Sequence, residues 1–302
     1  MLLSPEGGIL DDLIITKHGE DEFYVVTNAG CRDEDLAYIA KHLDAFNKEN
    51  VSNGYTEHEV MDKQGLLALQ GPKARDLLAP LVDGLDISAG AFPHMSVADC
   101  TVGGLPARLF RVSFTGELGF EINVPARHGR ALWELLMAAG AAHGITPYGT
   151  EAMHVMRAEK GYIIVGQDTD GTVTPDDAGL SWAIGKAKAD FVGKRSLARP
   201  DMALPDRKQL VGLLTEDPAV VLEEGAQIVA DPNQPKPMTM LGHVTSSYLS
   251  PALGRSIALA LVAGGRAREG QTLHIPMPDR VIPAKVTTAM VFVDPDGVRL
   301  SV

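Results

Sequence analysis

The hydrophobic pattern of this chain changes period once, close to residue 200, and that change constrains the fold more than any single motif. Beyond it come six short apolar runs, Leu210–Leu214, Ala226–Val229, Gly242–Thr245, Ile257–Val262, Thr272–Ile275 and Ala284–Met290, separated by Pro/Gly turns. No helical period interrupts them, which predicts a small all-β barrel or sandwich. Upstream, strand-like and helix-like stretches are mixed. The stretch 198–207 carries Pro200 and Pro205 and reads as a linker. The expected organisation is an α+β domain over 1–197, a linker over 198–207 and an all-β module over 208–302.

Within the first part, Leu13–Ile15 and Phe23–Val26 bracket a polar turn and predict a hairpin. Leu36, Ile39, Ala40, Leu43 and Phe46 recur at three- and four-residue steps, so Asp33–Asn47 predicts a helix. Leu66–Leu69, Val97–Ala98, Ala107–Val112 and Phe120–Val124 read as strands, with a turn at Gly103-Gly104. Pro72–Leu81 reads as a helix with proline in its first turn, and Gly129–Ala142 as a helix buried on Leu132, Leu135 and Leu136. A further helix is expected to take Thr150 as its N-cap and to stop at Gly161.

Charge and composition narrow the function. The 302 residues carry a formal net charge of −12. Residues 206–302 hold 9 basic and 10 acidic side chains, so almost all of the excess acid lies before them. An acidic chain lacks the basic face that replaces phosphate counterions, which argues against a nucleic-acid partner. No apolar run approaches the roughly 20 residues of a membrane span, so no membrane partner is expected. Met1–Glu6 has neither the charged nor the apolar region of a secretory signal. Cys31 and Cys100 are too few for a disulfide framework, which suits a reducing compartment. A cytoplasmic location is the expectation, or a mitochondrial one if a preceding segment carries a transit peptide.

Familiar catalytic signatures are missing. The sequence contains no G-x-G-x-x-G, no H-E-x-x-H and no G-x-S-x-G, and its nine histidines are scattered, so no metal site is expected. What remains is carboxylates in two settings. In Gly7-Gly8-Ile9-Leu10-Asp11-Asp12, a glycine turn feeds an apolar strand bearing two adjacent acids. Strand alternation sends them to opposite faces, so one is expected inward as a candidate general base, unless the pair only forms a turn. In Thr115-Gly116-Glu117-Leu118-Gly119-Phe120-Glu121, a glycine-punctuated turn opens a strand with an acid among apolar residues, which also reads as an exposed hairpin charge.

Read together, these stretches resemble the glycine-cleavage T-protein (aminomethyltransferase) family. Gly7–Asp12, Val25-Val26-Thr27-Asn28-Ala29, Gln70-Gly71-Pro72 and Thr115–Glu121 look like its motifs. Arg157–Gly161, Gly166-Gln167-Asp168, Gly179–Trp182 and Gly242–Ser246 follow in family order. The start is closest to the T-protein itself. From Gly65 onward the chain is similar to the C-terminal half of the sarcosine oxidase alpha subunit, and Met153 stands where T-proteins usually carry an arginine. Family members normally have further residues before the glycine motif, so the chain is expected to be truncated at its N-terminus.

The resemblance implies a cloverleaf of subdomains around tetrahydrofolate, followed by the β-barrel module. It implies transfer of an amine-derived one-carbon unit to give 5,10-methylenetetrahydrofolate. Asp12, selected over Asp11, is the implied catalytic residue. Glu121, Asn28, Arg157 and Tyr162 are the implied folate-binding residues, with Glu121 on the pterin edge; Trp182 reads as structural. A lipoyl carrier protein or flavoprotein subunits are the implied partners. The alternatives are the folate module of a sarcosine oxidase alpha subunit, which would receive its imine from elsewhere, and a non-catalytic folate-binding or assembly module.

Overall fold

The computed structural model describes residues 1–50 and 63–302. The chain forms two compact units, one of Met1–His58 with Gly161–Phe292 and one of Glu59–Lys160 with Val293–Val302.

The first unit opens with β1 (Leu2–Leu3) antiparallel to β2 (Ile9–Asp11). Between them Gly7 takes φ +95°, and a Cβ on Gly8 would lie 1.9 Å from the Gly171 carbonyl oxygen. The paired glycines are therefore required where β2 passes the backbone of Gly171, beside the bond from Ile9 N–H to the Val173 carbonyl (2.9 Å). The expected hairpin forms from β3 (Ile14–Lys17) and β4 (Phe23–Val26), with Ile14 opposite Val26. Helix α1 (Arg32–Glu49) follows, with Asp33, Glu34 and Asp35 in its first turn.

The second unit is built on β5 (Gln64–Gln70), α2 (Ala74–Leu78), β6 (Val82–Asp83), β7 (Val97–Val102), β8 (Leu105–Phe110), β9 (Gly119–Pro125), α3 (Gly129–Gly140) and α4 (Thr150–Glu159). Its antiparallel sheet has the order β5-β9-β8-β7-β6. Phe120, Ile122 and Val124 alternate along β9 into a core with Leu77, Leu78, Leu132 and Leu136. Two helix starts differ from expectation. Proline precedes α2 rather than entering it, because the N-cap is Lys73. Thr150 is the first helical residue of α4, the cap position is Gly149, and no side chain caps it. Gly161, at φ +73°, lets the chain leave α4 as expected.

The chain re-enters the first unit at Gly161, and α5 (Lys194–Leu197) lies within that unit. The stretch 198–207 contains the 3-10 turn Pro200–Ala203, and its last residue, Arg207, is ion-paired with the buried Asp177. All six expected strands then appear: β10 (Lys208–Thr215), β11 (Gln227–Ile228), β12 (Gly242–Ser250), β13 (Arg255–Ala263), β14 (Thr272–Pro276) and β15 (Val281–Thr287). They pair in the order β11-β12-β13-β10-β15-β14, and Val229 and His274 exchange backbone bonds of 2.9 Å, closing the ring into a barrel. Ala258, Ala260 and Val262 of β13 fill the barrel. Leu259 and Leu261 face outward onto a second core with Leu3, Ile9, Ile163 and Val173. Burial on both faces explains the unbroken apolar run of β13. The last residues, including α6 (Val298–Ser301), belong to the second unit, where Lys160 Nζ donates to the Asp294 carboxylate (3.1 Å) and the buried Arg111 to the Leu300 carbonyl (2.6 Å).

Candidate functional site

The acid pair of the first unit is resolved by where β2 ends. Ile9 and Asp11 point inward and Leu10 outward, and Asp11 has no accessible surface. Asp12 lies beyond the last paired residue and is half-buried. The expectation that Asp12 is the inward acid is thus corrected: alternation stops at Asp11, and Asp11 takes the interior position.

Both acids are held by Asn28. The β3–β4 register sets Ile14 opposite Val26, which brings position 28 across from position 12. Asn28 Nδ2 donates to Asp11 Oδ1 (2.9 Å), the Asp12 carbonyl (2.9 Å) and Asp12 Oδ1 (2.8 Å), and its backbone N–H donates to Asp11 Oδ2 (3.2 Å). Burial pushes the Asp12 carboxyl above the usual carboxylate range. The bond from Asn28 opposes that, and the neighbouring charge of Asp11 adds to it. Cys31, in the turn between Asn28 and α1, has its thiol pushed up to about 11, first by burial and then by Asp11, which disfavours the thiolate.

In the second unit, Glu121 sits on the face of β9 opposite the core, paired across the sheet with Ala68 and Phe110. It is half-buried, and no donor meets its carboxylate among the described residues. Burial alone raises it. Tyr148, which the sequence reading did not single out, has its hydroxyl raised by burial and by the charge of Glu121. Its signal was too weak to find in the sequence: one tyrosine in a Pro/Gly loop. The turn before β9 is fastened to the Q-G-P turn. Thr115 Oγ1 and Ser113 Oγ donate to Gln70 Oε1 (2.6 and 3.0 Å), and a Cβ on Gly119 would lie 2.6 Å from that same oxygen.

The remaining candidates fall elsewhere. Arg157 is on α4 with no accessible surface, so a bound molecule would meet the packing that Arg157 supports rather than its guanidinium. Tyr162 follows Gly161 in the first unit and is half-buried, with its hydroxyl raised by burial. Trp182, expected to be structural, is 80% exposed in the 3-10 turn Ser181–Ala183 and packs into no core. An open cavity of about 650 Å³ beside β5, lined by Leu66, Trp133, Met137 and Tyr148, contains none of the five predicted site residues.

Two motifs with no assigned chemistry meet in the first unit. The register of β12 shifts between Val244 and Ser246, and this bulge turns two consecutive hydroxyls the same way. Thr245 Oγ1 and Ser246 Oγ (2.7 Å) both donate to Oδ1 of the fully buried Asp168, whose Oδ2 accepts from the Ile164 N–H (2.9 Å). The G-Q-D and G-H-V-T-S motifs are thus two sides of one structural joint.

Comparison with known proteins agrees with this architecture. Residues 1–188 match the GCVT N-terminal domain and residues 208–294 the glycine cleavage T-protein C-terminal barrel domain. The sarcosine oxidase subunit alpha of Corynebacterium sp. (strain P-1) is 45% identical over 302 residues, covering 99% of this chain but only 31% of that protein. The aminomethyltransferase of Nostoc sp. is 35% identical, over 95% of this chain and 72% of that protein. The solved aminomethyltransferase T of the Bartonella henselae glycine cleavage system superposes with a TM-score of 0.79 at 28% identity, covering 97% of this chain and 75% of that one. With both domain models matched in order and a relative of this identity spanned over most of its length, the chain belongs to the glycine-cleavage T-protein (aminomethyltransferase) family.

Proposed function

We propose that the protein is a tetrahydrofolate-dependent transferase that passes an amine-derived one-carbon unit to folate, with 5,10-methylenetetrahydrofolate as product. The observation that carries this reading is Glu121, a half-buried carboxylate raised by burial and met by no protein donor among the described residues. Such a group gains most from a ligand presenting two adjacent N–H donors, which is what the pterin edge offers at N3 and the 2-amino group. Tetrahydrofolate, when bound, supplies the N5 and N10 nitrogens that receive the carbon.

The chain's own residues then divide the work. Glu121 accepts from the pterin edge and fixes the ring. Asp12, whose carboxyl is raised by burial, can take or return a proton at the reacting amine, and its ionised form can stabilise developing positive charge. Asn28 sets the angle of that carboxylate, Tyr162 offers a half-buried ring beside the backbone turn at Gly161, and Arg157 supports α4 from within.

A second reading concerns the donor. The higher identity with sarcosine oxidase alpha subunits, together with Met153 at a position where T-proteins usually carry arginine, favours the folate module of an amine-oxidising flavoenzyme. Its imine would come from flavoprotein subunits rather than a lipoyl carrier protein. Calorimetry of the whole chain with tetrahydrofolate and with NAD tests the common ground of the two readings. Folate binding without NAD binding is expected, and a folded sample that ignores folate would sink both.

A further inference from the structure

We infer that Asp35 is a positioning residue for Asp12: the carboxyl groups of Asp35 and Asp11 share one proton where α1 meets β2, and this proton keeps Asn28, and through it Asp12, in place. The link to Asp12 rests on the reading of that residue given above. The shared proton does not.

The two acids come from different elements and are both buried, Asp11 with no accessible surface and Asp35 with 3%. Helix α1 is tied to the β1–β2 pair nearby, since the Tyr38 hydroxyl donates to the Leu3 carbonyl (3.0 Å). Asp35 lies within hydrogen-bonding reach of Asp11, yet among the described residues its buried Oδ2 has no partner. Two carboxyl groups can share a hydrogen bond only if one of them carries the proton. A buried carboxylate with a bare oxygen loses solvation that nothing replaces, whereas a neutral acid loses far less.

The surroundings decide which one holds it. Asp11 accepts from the backbone and the side chain of Asn28, at 3.2 and 2.9 Å. Among the described residues Asp35 has no such donors, so it carries the proton and gives it to Asp11. Its carboxyl is pushed up to about 7 by burial, then by the bond to Asp11, then by the charges of Asp11 and Glu34. Among the described residues, the titratable groups facing it are Asp11 from β2, Glu34 on its own helix and Cys31 in the turn before it, and none of these is a cation.

When Asp35 ionises, two buried negative charges face each other and the acceptor that aligns Asn28 is pushed away. Transfer should therefore fall as pH rises through the range where Asp35 titrates. Stability has the same sign. The folded chain holds this proton to higher pH than the unfolded chain does. Stability from this group is thus lost as pH climbs from about 4, the unfolded aspartate value, toward 7, and is level above that.

The test uses the 302-residue chain with Asp35→Asn, which mimics the protonated acid, and Asp35→Leu, which cannot donate. Without ligand, carbon-13 carboxyl spectra should show one aspartate titrating near neutral pH in the parent chain and none in Asp35→Asn. Urea stability should fall more steeply between about pH 4 and pH 7 in the parent than in Asp35→Asn, where only the other raised carboxyls, Asp12 and Glu121 among them, still contribute. In methylene transfer, Asp35→Asn should keep the activity and lose the alkaline limb. Asp35→Leu should lose about tenfold or more in kcat, with the folate KM little changed, as misplacement of a reacting group does. A neutral titration that persists in Asp35→Asn overturns the shared proton, whether or not Asp35→Leu folds. An unchanged alkaline limb overturns the positioning role. A parent chain that shows the titration but transfers nothing overturns the reading of Asp12, and the positioning role with it, while the proton pair stands.

Discussion

Asn28 holds Asp12 at two points, donating from its side-chain amide to the carbonyl at 2.9 Å and to the carboxylate at 2.8 Å. The same amide and the backbone N–H of Asn28 are the donors that reach the interior carboxylate of Asp11. Asn28→Ala should therefore have two consequences. The Asp11 side chain loses a charge-assisted partner in the interior, so stability should fall by about 1–3 kcal/mol. Asp12 loses its orienting bond, so transfer should also fall. Urea denaturation measures the first effect, and an unchanged midpoint would mean that the Asn28 amide contributes nothing to holding Asp11.

Asp11 and Asp12 should separate cleanly in mutagenesis. If Asp12 is the proton carrier proposed, Asp12→Asn should preserve shape and most folate affinity and cost about 100-fold or more in transfer. Asp11→Ala should appear first in stability, because the donors of Asn28 lose their interior acceptor, and should lower transfer less than Asp12→Asn does, through the loosened Asn28 alone. On the function proposed, the acid inside is structural and the acid at the strand end is chemical. Equal effects of the two variants on transfer and on denaturation would contradict that division.

Glu121→Gln keeps the volume but turns one acceptor into a donor facing a donor. If Glu121 holds the pterin edge as proposed, loss of a charge-assisted bond worth roughly 1.5–3 kcal/mol should lower folate affinity by about 10- to 150-fold. Without ligand the variant should be no less stable than the parent, since burial already disfavours the Glu121 charge. Calorimetry and thermal unfolding of the same sample separate the two effects. Normal folate affinity would make Glu121 a strand charge and nothing more.

Gly8→Ala places a methyl group 1.9 Å from the Gly171 carbonyl oxygen, which is backbone and cannot rotate away. The β2 strand would have to leave its seat, disrupting the bond from Ile9 to Val173. We expect a loss of several kcal/mol, toward the exceptional end of single substitutions, which exceed about 4–5 kcal/mol only rarely. Gly30→Ala, whose Cβ would meet nothing within 4 Å, is the matched control. Similar unfolding midpoints for the two variants would show that the close approach of Gly8 is not needed.

Sequence alone determined the elements whose apolar period is strong. The β3–β4 hairpin, α1 and all six barrel strands stand where alternation and three- and four-residue spacing put them, because such patterns bury one face of a strand or helix whatever surrounds it. The same patterning marked Phe120–Val124 as a strand, and the ordered motifs carried the family. Tertiary structure decided what depends on a strand's last pair or on a distant partner. Asp11 and Asp12 differ by one residue, and only the end of pairing at Asp11 makes one interior and the other half-buried. Asp35 looked like one more acid in a helix first turn until packing set it against Asp11. Thr245 and Ser246 share Asp168 only because a bulge breaks the alternation that sequence reading assumes. Periodicity is a local property of the chain, whereas the protonation and alignment of a buried carboxyl are set by groups that folding brings from elsewhere.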